Sequence, residues 1–338
     1  MKIFHHNDDD GRCAAAIVNH ELAVVFDKPE EEDFIEYYHG CDIKIPENIK
    51  EGETVYIVDL ALDSVILELI RSLVTEHNCH VVHIDHHKTT LDNMKMLSEA
   101  TKTTVMDKVI KFYKVGISGA LLTWIYSCMD ESERLHPESV EFDFSDKRTH
   151  VAFNYDTPNM REYRIPMTIR FVDDNDVWLH EIPETKYFCK SLMMFEDKRP
   201  FSDTWRDLIY GSDYSVYKLV ENGELLYKYQ ETVDKFNLSN AFETELEGLK
   251  VLCLNTCCGN SNIFGEKFDQ YPCCIKFSYD GRIHMWRYIM YGSKKYDPDE
   301  SIDLSVIARK YGGGGHAKSC GFQLPYNLFG DDWMNGNK

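Results

Sequence analysis

Carboxylate and imidazole side chains follow four separate apolar runs in this sequence. They are His6, Asp8 and Asp10 after the first run, Asp59 after the second, Asp85, His86 and His87 after the third, and Asp173, Asp174 and Asp176 after the fourth. A single aspartate at the end of a strand usually forms a turn or caps a helix. That alternative would have to apply independently at the ends of all four runs. Gathered together, these charges need cations. Carboxylate oxygens mixed with imidazole nitrogens suit Mn, Mg, Zn or Fe, and the carboxylate majority favours Mn or Mg.

The apolar runs themselves predict strands of a parallel sheet. The runs VYIV (55–58) and VVHI (81–84) flank a segment in which Asp63 is placed as a helix N-cap and apolar residues recur at helical spacing. A strand, a helix and a strand within about thirty residues form a parallel crossover unit. Further helices are predicted over 11–20 and 118–129. Because the carboxyl ends of parallel strands share one edge, where open α/β sheets bind ligands, we expect the acidic and imidazole side chains to meet there.

The first strand also limits which histidine can join this group. Side chains alternate along a strand, so His6 shares its parity with Asp8 and Asp10. His5 has the opposite parity and is therefore disfavoured as a ligand.

The predicted fold is α/β, in two domains. Residues 1–195 form a first domain with a parallel sheet and helices on both faces, interrupted by an irregular polar insertion at about 130–165. Residues 196–240 are predicted to be a helical connector. Short strands over 241–326 predict a smaller α/β domain with a mixed sheet, in which Asp280-Gly281 forms a hairpin turn. Residues 327–338 are expected to be a loose tail.

A run of glycines at 312–315 lies directly before His316. Consecutive glycines let backbone N–H groups approach a phosphate without interference from Cβ atoms, although a flexible loop or a helix cap is the alternative interpretation. Arg287, on a predicted strand before the run, and His316 supply charge-assisted donors for a terminal phosphate or carboxylate. We therefore expect an anion-binding site in the second domain.

The composition limits the classes of partner. The 338 residues carry a formal net charge of −20, which argues against tight binding of long nucleic acid, including long double-stranded DNA, but not against a small anionic substrate. No apolar run approaches the length that a bilayer needs, and the N-terminus turns charged at once, so we expect no membrane partner, no signal peptide and a cytoplasmic location.

The eleven cysteines form no C-x-x-C pair. Two adjacent pairs, Cys257-Cys258 and Cys273-Cys274, leave a zinc site as an alternative, but their spacing matches no common zinc knuckle. Reduced, mostly buried thiols are the favoured interpretation.

Six short motifs, in order along nearly the whole chain, resemble those of the DHH phosphoesterase superfamily. They are HNDDDG (6–11), VDL (58–60), IDHHKT (84–89), SGALLTW (118–124), VDDNDVW (172–178) and YGGGGHAKSCGF (311–322). The last is similar to the signature of the substrate-binding domain that is associated with the DHH domain, although Cys320 stands where a small residue is common. The resemblance implies a DHH domain joined to a smaller domain, with the active site in the cleft between them.

The resemblance also implies two sets of metal ligands. One metal would be held by His6, Asp8 and Asp59, and a second by Asp10, Asp59, His86 and Asp174, with Asp59 bridging the two. In the motif at 172–178, Asp174 fits best, but Asp173 and Asp176 are close enough to exchange roles with it. The two divalent ions, Mn or Mg, would activate a water that attacks phosphorus in line.

Catalytic and substrate-binding roles are implied by the same motifs. His87 would touch the scissile phosphate. Asp85 would touch neither metal nor phosphate but would orient the side chains next to it. The implied substrate contacts are Ser118, Arg287, Gly313, Gly314, Gly315 and His316.

The expected function is hydrolysis of a phosphodiester in a short nucleic acid, either a dinucleotide or an oligonucleotide of a few residues, as in a nanoRNase or oligoribonuclease-like exonuclease. The second interpretation is a phosphatase acting on a nucleoside 3′,5′-bisphosphate, or an exopolyphosphatase. A third, of another class, is a non-catalytic relative that binds nucleotides. Such relatives usually lose metal ligands, whereas every expected ligand type is present here. A homodimer is compatible with these features.

Overall fold

The computed structural model describes residues 1–22, 30–38, 43–99, 105–153, 161–299 and 301–330. Contacts divide the chain into two compact units, Met1–Leu226 and Tyr227–Lys338, here called the N-terminal unit and the C-terminal unit. Within the described ranges, every helix lacks the combination of length and apolar character that crossing a membrane requires.

The N-terminal unit is built on a parallel sheet. Its described strands are β1 (Lys2–His6), β2 (Phe34–Tyr37), β3 (Thr54–Val58), β4 (His80–Asp85) and β5 (Ile110–Tyr113). They lie in the order β2-β1-β3-β4-β5, and every neighbouring pair is parallel, so that their carboxyl ends share one edge. This confirms the parallel sheet predicted from the sequence.

Helices cover both faces of this sheet, as predicted. The first four are α1 (Asp9–Ile17), α2 (Ser64–Thr75), α3 (Lys88–Glu99) and α4 (Gly119–Cys128). Because side chains alternate along a strand, each face has its own apolar core. Phe4 and Ile57 pack with Ile70 of α2 on one face. Ile3 and Val58 belong to the core on the other face, which α1 and α4 share.

The segment 130–165 is not irregular, and that prediction is wrong. Its described part contains α5 (Glu131–Leu135) and the strands β6 (Phe142–Phe144), β7 (His150–Phe153) and β8 (Arg161–Arg164). These strands pair in chain order as an antiparallel sheet. Phe142, Val151 and Phe153 are buried in the same core as α1 and α4. The segment looks polar in sequence because only one face of this small sheet is buried.

The fourth apolar run, predicted to be a strand, forms a helix instead. Helix α6 spans Met167–Asp176 and begins after Pro166, a residue that is well tolerated where a helix starts. It is followed by α7 (Thr185–Leu192), α8 (Asp203–Tyr210) and α9 (Asp213–Leu238). The segment 196–240, predicted to be a helical connector, contains α8 and α9, and the division between the two units falls within α9.

The C-terminal unit has a mixed sheet, as predicted. Its strands are β9 (Phe242–Leu246), β10 (Leu249–Asn255), β11 (Cys273–Asp280), β12 (Met285–Tyr291), β13 (Gly314–His316) and β14 (Ser319–Leu324). They lie in the order β13-β14-β12-β11-β10-β9, with β10 and β11 parallel and the other pairs antiparallel. Helix α10 (Leu304–Lys310) covers one face, and a 3₁₀ segment (Ser261–Gln270) packs on the other.

The predicted loose tail is partly ordered. Phe329 is buried, with ring centroids 5.2 Å from Phe277 and 5.7 Å from Tyr288. The tail prediction is therefore wrong at this residue, and positions 331–338 lie outside the described residues.

The adjacent cysteine pairs do not assemble a zinc site. Cys273 and Cys274 are buried in two different cores on opposite faces of β11, whereas Cys257 and Cys258 are exposed. All ten cysteines that the structure describes carry free thiols, as the sequence analysis favoured.

Candidate metal centre

The turn between β1 and α1 places His6 beside Asp8. Asp8 is the N-cap of α1, and its Oδ1 accepts the Gly11 N–H at 2.9 Å. Its Oδ2 accepts a hydrogen bond from Nδ1 of His6 at 2.6 Å. A Cβ on Gly11 would lie 2.5 Å from the His6 carbonyl oxygen, so only glycine fits this turn. The strand ends at His6, and a helical turn, not strand alternation, brings Asp10 to the site.

Asp10 is buried against the N-terminus of α4. Its Oδ2 accepts the Gly119 N–H at 2.7 Å, and its Oδ1 accepts the Ala120 N–H at 2.8 Å. These are two of the N–H groups that a helix leaves without intrahelical partners, at the end where its dipole is positive. The buried hydroxyl of Ser118 caps the same helix by accepting the Leu121 N–H at 3.2 Å. The structure therefore gives Ser118 a capping role, and its contact with a substrate stays a prediction.

Asp59 follows β3 in an uncommon backbone conformation. Its φ is +55°, in the left-handed region, and its N–H donates to the Ile84 carbonyl at 3.0 Å. Its side chain is buried, with 2% of the residue exposed. A Cβ on Gly119 would lie 2.7 Å from the Asp59 Cβ, so glycine at that position makes room for the carboxylate. Strained backbone of this kind is concentrated at functional sites.

His86 lies among three carboxylates. Its Nε2 is 3.1 Å from Oδ1 of Asp59, 3.5 Å from Oδ2 of Asp176 and 3.8 Å from Oδ2 of Asp10. Burial lowers the pKa of His86 in spite of the Asp10 charge, so the ring is held in the neutral form that binds metals.

Asp176, and not Asp174, is the α6 carboxylate in the salt-bridge contacts of His86. Both carboxylate oxygens of Asp174 have other partners, because its Oδ1 accepts the Glu181 N–H at 2.8 Å and its Oδ2 accepts the Thr185 hydroxyl at 2.5 Å. These bonds fix the chain between α6 and α7. Asp176, one of the two alternatives kept open within the motif at 172–178, therefore stands in place of Asp174 in the groups of side chains that could hold a metal. The other alternative, Asp173, is bound to the Ser118 N–H at 2.8 Å.

His87 and Asp85, on either side of His86 in the sequence, form a hydrogen-bonded pair. Nδ1 of His87 donates to Oδ1 of Asp85 at 2.8 Å, and the Thr90 hydroxyl donates to the other oxygen at 2.5 Å. Although burial lowers it, the hydrogen bond to Asp85 and the charge of that carboxylate raise the pKa of His87. Asp85 is fully buried, while the His87 side chain is 41% exposed. The buried carboxylate thus orients a partly exposed imidazole.

Burial and mutual repulsion oppose the ionisation of these carboxylates. Burial raises the pKa of Asp59 well above its ordinary value, and the charges of Asp10 and Asp8 raise it further. Burial raises the pKa of Asp176 to about 8, and Asp10 adds to this effect. Oδ1 of Asp59 and Oδ2 of Asp176 are buried and accept no hydrogen bond from any described residue. Buried acceptors of this kind are rare, and a bound cation would both satisfy them and favour the ionised carboxylates.

Among the residues that the structure describes, three groups of side chains have ligand atoms within 4.8 Å of one another and could hold a metal. They are His6, Asp8 and Asp59; Asp10, His86 and Asp176; and Asp59, His86 and His87. Asp59 and His86 each belong to two groups, so the groups are continuous. A cavity of about 220 Å³ adjoins them and is lined in part by Asp8, Asp10 and Asp176. The donor set of carboxylate oxygens and imidazole nitrogens fits hard or borderline divalent cations.

The glycine run forms an edge strand in the C-terminal unit. In the β13–β14 hairpin, Gly314 pairs with Gly321 and His316 with Ser319. A Cβ on Gly315 would lie 2.6 Å from the Cα of Cys320, and its φ is +128°, so close strand contact alone requires glycine there. Around Gly314 the space is open. Strand packing therefore explains the glycine at 315 but not the one at 314. Contact of the run with a phosphate stays a prediction.

Arg287 lies on the face of this sheet opposite the α10 core. Gly321 on β14 pairs with Ile289 on β12 and with Gly314 on β13. Arg287 is two residues from Ile289 along β12, so the two side chains lie on the same face of the sheet. A depression of about 510 Å³ on this face is lined by Arg287, Lys276 and Arg282. Asp280 also lines it, and its Oδ2 lies 2.8 Å from Nη2 of Arg282 and 3.0 Å from Nη2 of Arg287. Sequence reasoning missed Lys276, on β11, and Arg282, in the turn between β11 and β12.

No family model matches the sequence. A curated protein is similar, the uncharacterised protein R106 of Acanthamoeba polyphaga mimivirus, with 21% identity over 266 residues, 75% of this chain and 49% of that protein. The chain thus spans about half the length of this relative.

Several solved structures are similar to this chain. The DHH domain of PF0399, described as a member of the S1p family of ribosomal proteins, superposes with a TM-score of 0.51 at 16% identity, over 94% of this chain and 81% of that one. The fold is therefore that of the DHH-domain proteins, as the ordered motifs predicted. Two others are a pGpG-specific phosphodiesterase, PggH of Vibrio cholerae (TM-score 0.45, 13% identity, 99% of this chain, 96% of that one), and RecJ of Thermus thermophilus in complex with Mn²⁺ (0.43, 14%, 96% and 49%).

Proposed function

We propose that this chain is a divalent-metal-dependent phosphodiesterase that hydrolyses dinucleotides or short oligonucleotides. The observation that carries the proposal is the pair of buried oxygens, Oδ1 of Asp59 and Oδ2 of Asp176, that lie beside a His86 ring nitrogen and accept no hydrogen bond from any described residue. A purely structural role would pair these atoms, because an unsatisfied buried acceptor is costly.

Two cations are proposed, with Asp59 shared between them. One would be held by His6, Asp8 and Asp59, and the other by Asp10, Asp59, His86 and Asp176. The carboxylate majority favours Mn or Mg over softer metals. When bound, such ions supply Lewis-acid polarisation of the phosphate and lower the pKa of an attacking water.

His87 and Asp85 supply the remaining chemistry from the protein itself. Asp85 occupies Nδ1 of His87, which leaves Nε2 for a phosphate oxygen or for the leaving group. A hydrogen bond from this nitrogen stabilises the charge that develops on the phosphate during in-line attack. Asp85 touches no substrate in this scheme; it fixes the orientation and tautomer of the imidazole.

Recognition of a terminal phosphate is assigned to the C-terminal unit. Its open sheet face carries Arg287, Lys276 and Arg282 around one depression, where a phosphate would compete with Asp280 for the two guanidinium groups. Guanidinium groups form bidentate hydrogen bonds with phosphate oxygens. The adjoining edge strand contributes His316 and the accessible backbone at Gly314. With a net charge of −20, the chain favours a short anionic substrate over a long one.

A panel of substrates with Mn²⁺ tests the proposal. The panel contains a dinucleotide, a pentanucleotide, a cyclic dinucleotide, a nucleoside 3′,5′-bisphosphate and polyphosphate. The wild type and the control Asp107→Asn, which changes an exposed carboxylate, should release mononucleotides from the linear substrates, and Asp59→Asn should not. Release of phosphate from the bisphosphate or polyphosphate alone would replace the proposal with a phosphatase. Mn²⁺ binding without any hydrolysis would indicate a nucleotide-binding relative.

A further inference from the structure

Arg148 connects the antiparallel sheet of the N-terminal unit with the helices of the metal centre. It lies in the turn between β6 and β7. Its Nη1 donates to Oδ2 of Asp173 at 2.5 Å, and its Nη2 donates to the Gly116 carbonyl at 2.8 Å. The guanidinium carbon lies 5.1 Å from the centroid of the Phe144 ring. One planar group therefore contacts α6, the loop before α4 and its own hairpin at the same time.

Asp173 extends this contact to α4. It is 1% exposed, and its Oδ1 accepts the N–H of Ser118, the N-cap residue of that helix, at 2.8 Å. The next two N–H groups of the helix, those of Gly119 and Ala120, are the donors to Asp10. Only one carboxylate and one helix N-terminus thus separate Arg148 from a proposed metal ligand.

The backbone around Arg148 adopts a conformation that requires support. Lys147 and Arg148 both have a φ of +50°, which residues other than glycine rarely adopt. The Lys147 carbonyl accepts hydrogen bonds from Nε and Nη2 of Arg170, on α6, at 3.3 Å and 3.2 Å. Both strained residues therefore form hydrogen bonds with residues of α6, Lys147 with Arg170 and Arg148 with Asp173. Strain of this kind persists where the surrounding contacts over-determine the structure, and it is concentrated at functional sites.

We propose that Arg148 is a positioning residue for the metal centre. By holding Asp173 and the Gly116 carbonyl together, it sets the separation between the N-terminus of α4 and helix α6. That separation determines how Asp10, bound to α4, stands relative to Asp176, carried by α6. The inference rests on the proposed function and adds to it a role for the segment 130–165.

Mn²⁺ binding by the full-length, metal-free chain tests the inference without relying on hydrolysis. Arg148→Met keeps an apolar side chain of similar length but removes the guanidinium group. Equilibrium dialysis should show its Mn²⁺ affinity reduced by about tenfold or more, the effect expected when a residue that orients a metal ligand is lost. At saturating Mn²⁺, kcat should fall while KM stays within about twofold, since no substrate contact is removed. Arg148→Lys keeps the charge beside Asp173 but not the planar fork, and should be intermediate.

Arg164→Met is the matched control. Arg164 lies on β8 of the same small sheet and makes an exposed ion pair with Asp213 at 2.6 Å. It should leave both Mn²⁺ affinity and kcat unchanged. Mn²⁺ affinity within twofold of wild type in a folded Arg148→Met variant, even with a lowered melting temperature, would show a structural role only and overturn the proposal. If that variant does not fold, the same result in Arg148→Lys overturns it.

A second comparison asks whether Arg148 acts through Asp173. In an Asp173→Asn background, Arg148→Met should reduce Mn²⁺ affinity by less than about twofold more, because the partner is already lost. A full additional reduction would contradict the pathway. Failure of the wild type to bind Mn²⁺ would instead refute the proposed function itself, so that the two failures are distinguishable.

Discussion

Nε2 of His86 lies 3.1 Å from Oδ1 of Asp59, a buried oxygen that accepts no hydrogen bond from any described residue. Asp59 directly follows β3 and His86 directly follows β4, and these are neighbouring strands of the parallel sheet. Burial lowers the pKa of His86, which favours the neutral imidazole over the cation. Neutral imidazole nitrogens and carboxylate oxygens are both ligands of divalent metals, so this pair fits the proposed metal centre.

Asp176 and Asp174 should behave differently although they lie on the same helix. Asp176→Asn should weaken Mn²⁺ binding by roughly 10- to 100-fold, because a ligand is lost. Asp174→Asn should leave that affinity nearly unchanged but lower the free energy of unfolding by about 1–3 kcal/mol, since its buried hydrogen bonds are disrupted. Mn²⁺ dialysis and urea denaturation of both variants check this, and the reverse pattern would restore Asp174 as the ligand.

Arg287→Met and His316→Ala should act on substrate binding. A lost charge-assisted contact is worth about 1.5–3 kcal/mol, so KM should rise by roughly 10-fold or more, with kcat changed by less than about threefold. Steady-state kinetics with the preferred substrate of the panel give both constants. Arg309→Met, which removes a guanidinium from the exposed part of α10, is the control. Unchanged KM in both test variants would remove the C-terminal anion site.

Gly314 and Gly315 in the β13–β14 hairpin should respond differently to substitution, one through substrate binding and the other through stability. Gly315→Ala places a Cβ 2.6 Å from the Cys320 Cα at a φ of +128° and should lower stability by about 1–3 kcal/mol. Gly314→Ala meets open space and should leave stability unchanged. If the backbone of the run contacts phosphate, Gly314→Ala should still raise KM. A Gly314→Ala variant with normal KM would leave the glycines a structural role alone.

His83 should make folding stability depend on pH. It is fully buried, its Nε2–H donates to the Leu60 carbonyl at 2.8 Å, and the Tyr113 hydroxyl donates to its Nδ1 at 2.8 Å. Burial lowers the pKa of His83 in the folded protein below its value of 6.5 in the unfolded chain. The unfolded state therefore binds more protons, and the contribution is complete above about pH 6.5 and is lost as the pH falls toward the folded-state pKa.

The size of this dependence can be measured. Between the two pKa values the free energy of unfolding should fall by about 1.4 kcal/mol per pH unit for this one proton. His83→Gln, which offers a donor and an acceptor without titrating, should remove that slope. His136→Gln, which changes an exposed histidine, should keep it. Equal slopes for wild type and His83→Gln in urea denaturation would contradict the buried neutral ring.

Local signals predicted much of the N-terminal unit. Asp63, predicted as an N-cap, accepts the Val65 and Ile66 N–H groups in the first turn of α2. The buried parallel strands were equally clear, because continuous apolar runs mark strands that are covered on both faces. These elements fix the positions of Asp59 and His86 without further information.

The remaining features depend on tertiary contacts. Which of Asp173, Asp174 and Asp176 faces the metal centre depends on the rotation of α6 about its axis, and Thr185 and Ser118 determine that rotation from other segments. The strand β13 consists largely of glycine, which has little intrinsic preference for strands, and it exists because it pairs with β14. The contact of Arg148 with Asp173 joins distant parts of the chain and leaves no local pattern.

Mn²⁺ stoichiometry tests the central claim most directly. Equilibrium dialysis of the full-length wild type, with metal content measured per chain, should give two bound ions. Asp59→Asn should lose at least one of them, because Asp59 is the proposed shared ligand, whereas Asp107→Asn should keep both. A wild-type chain that binds no Mn²⁺, Mg²⁺ or Zn²⁺, or an Asp59→Asn variant that binds two ions as tightly as the wild type, would contradict the two-metal centre.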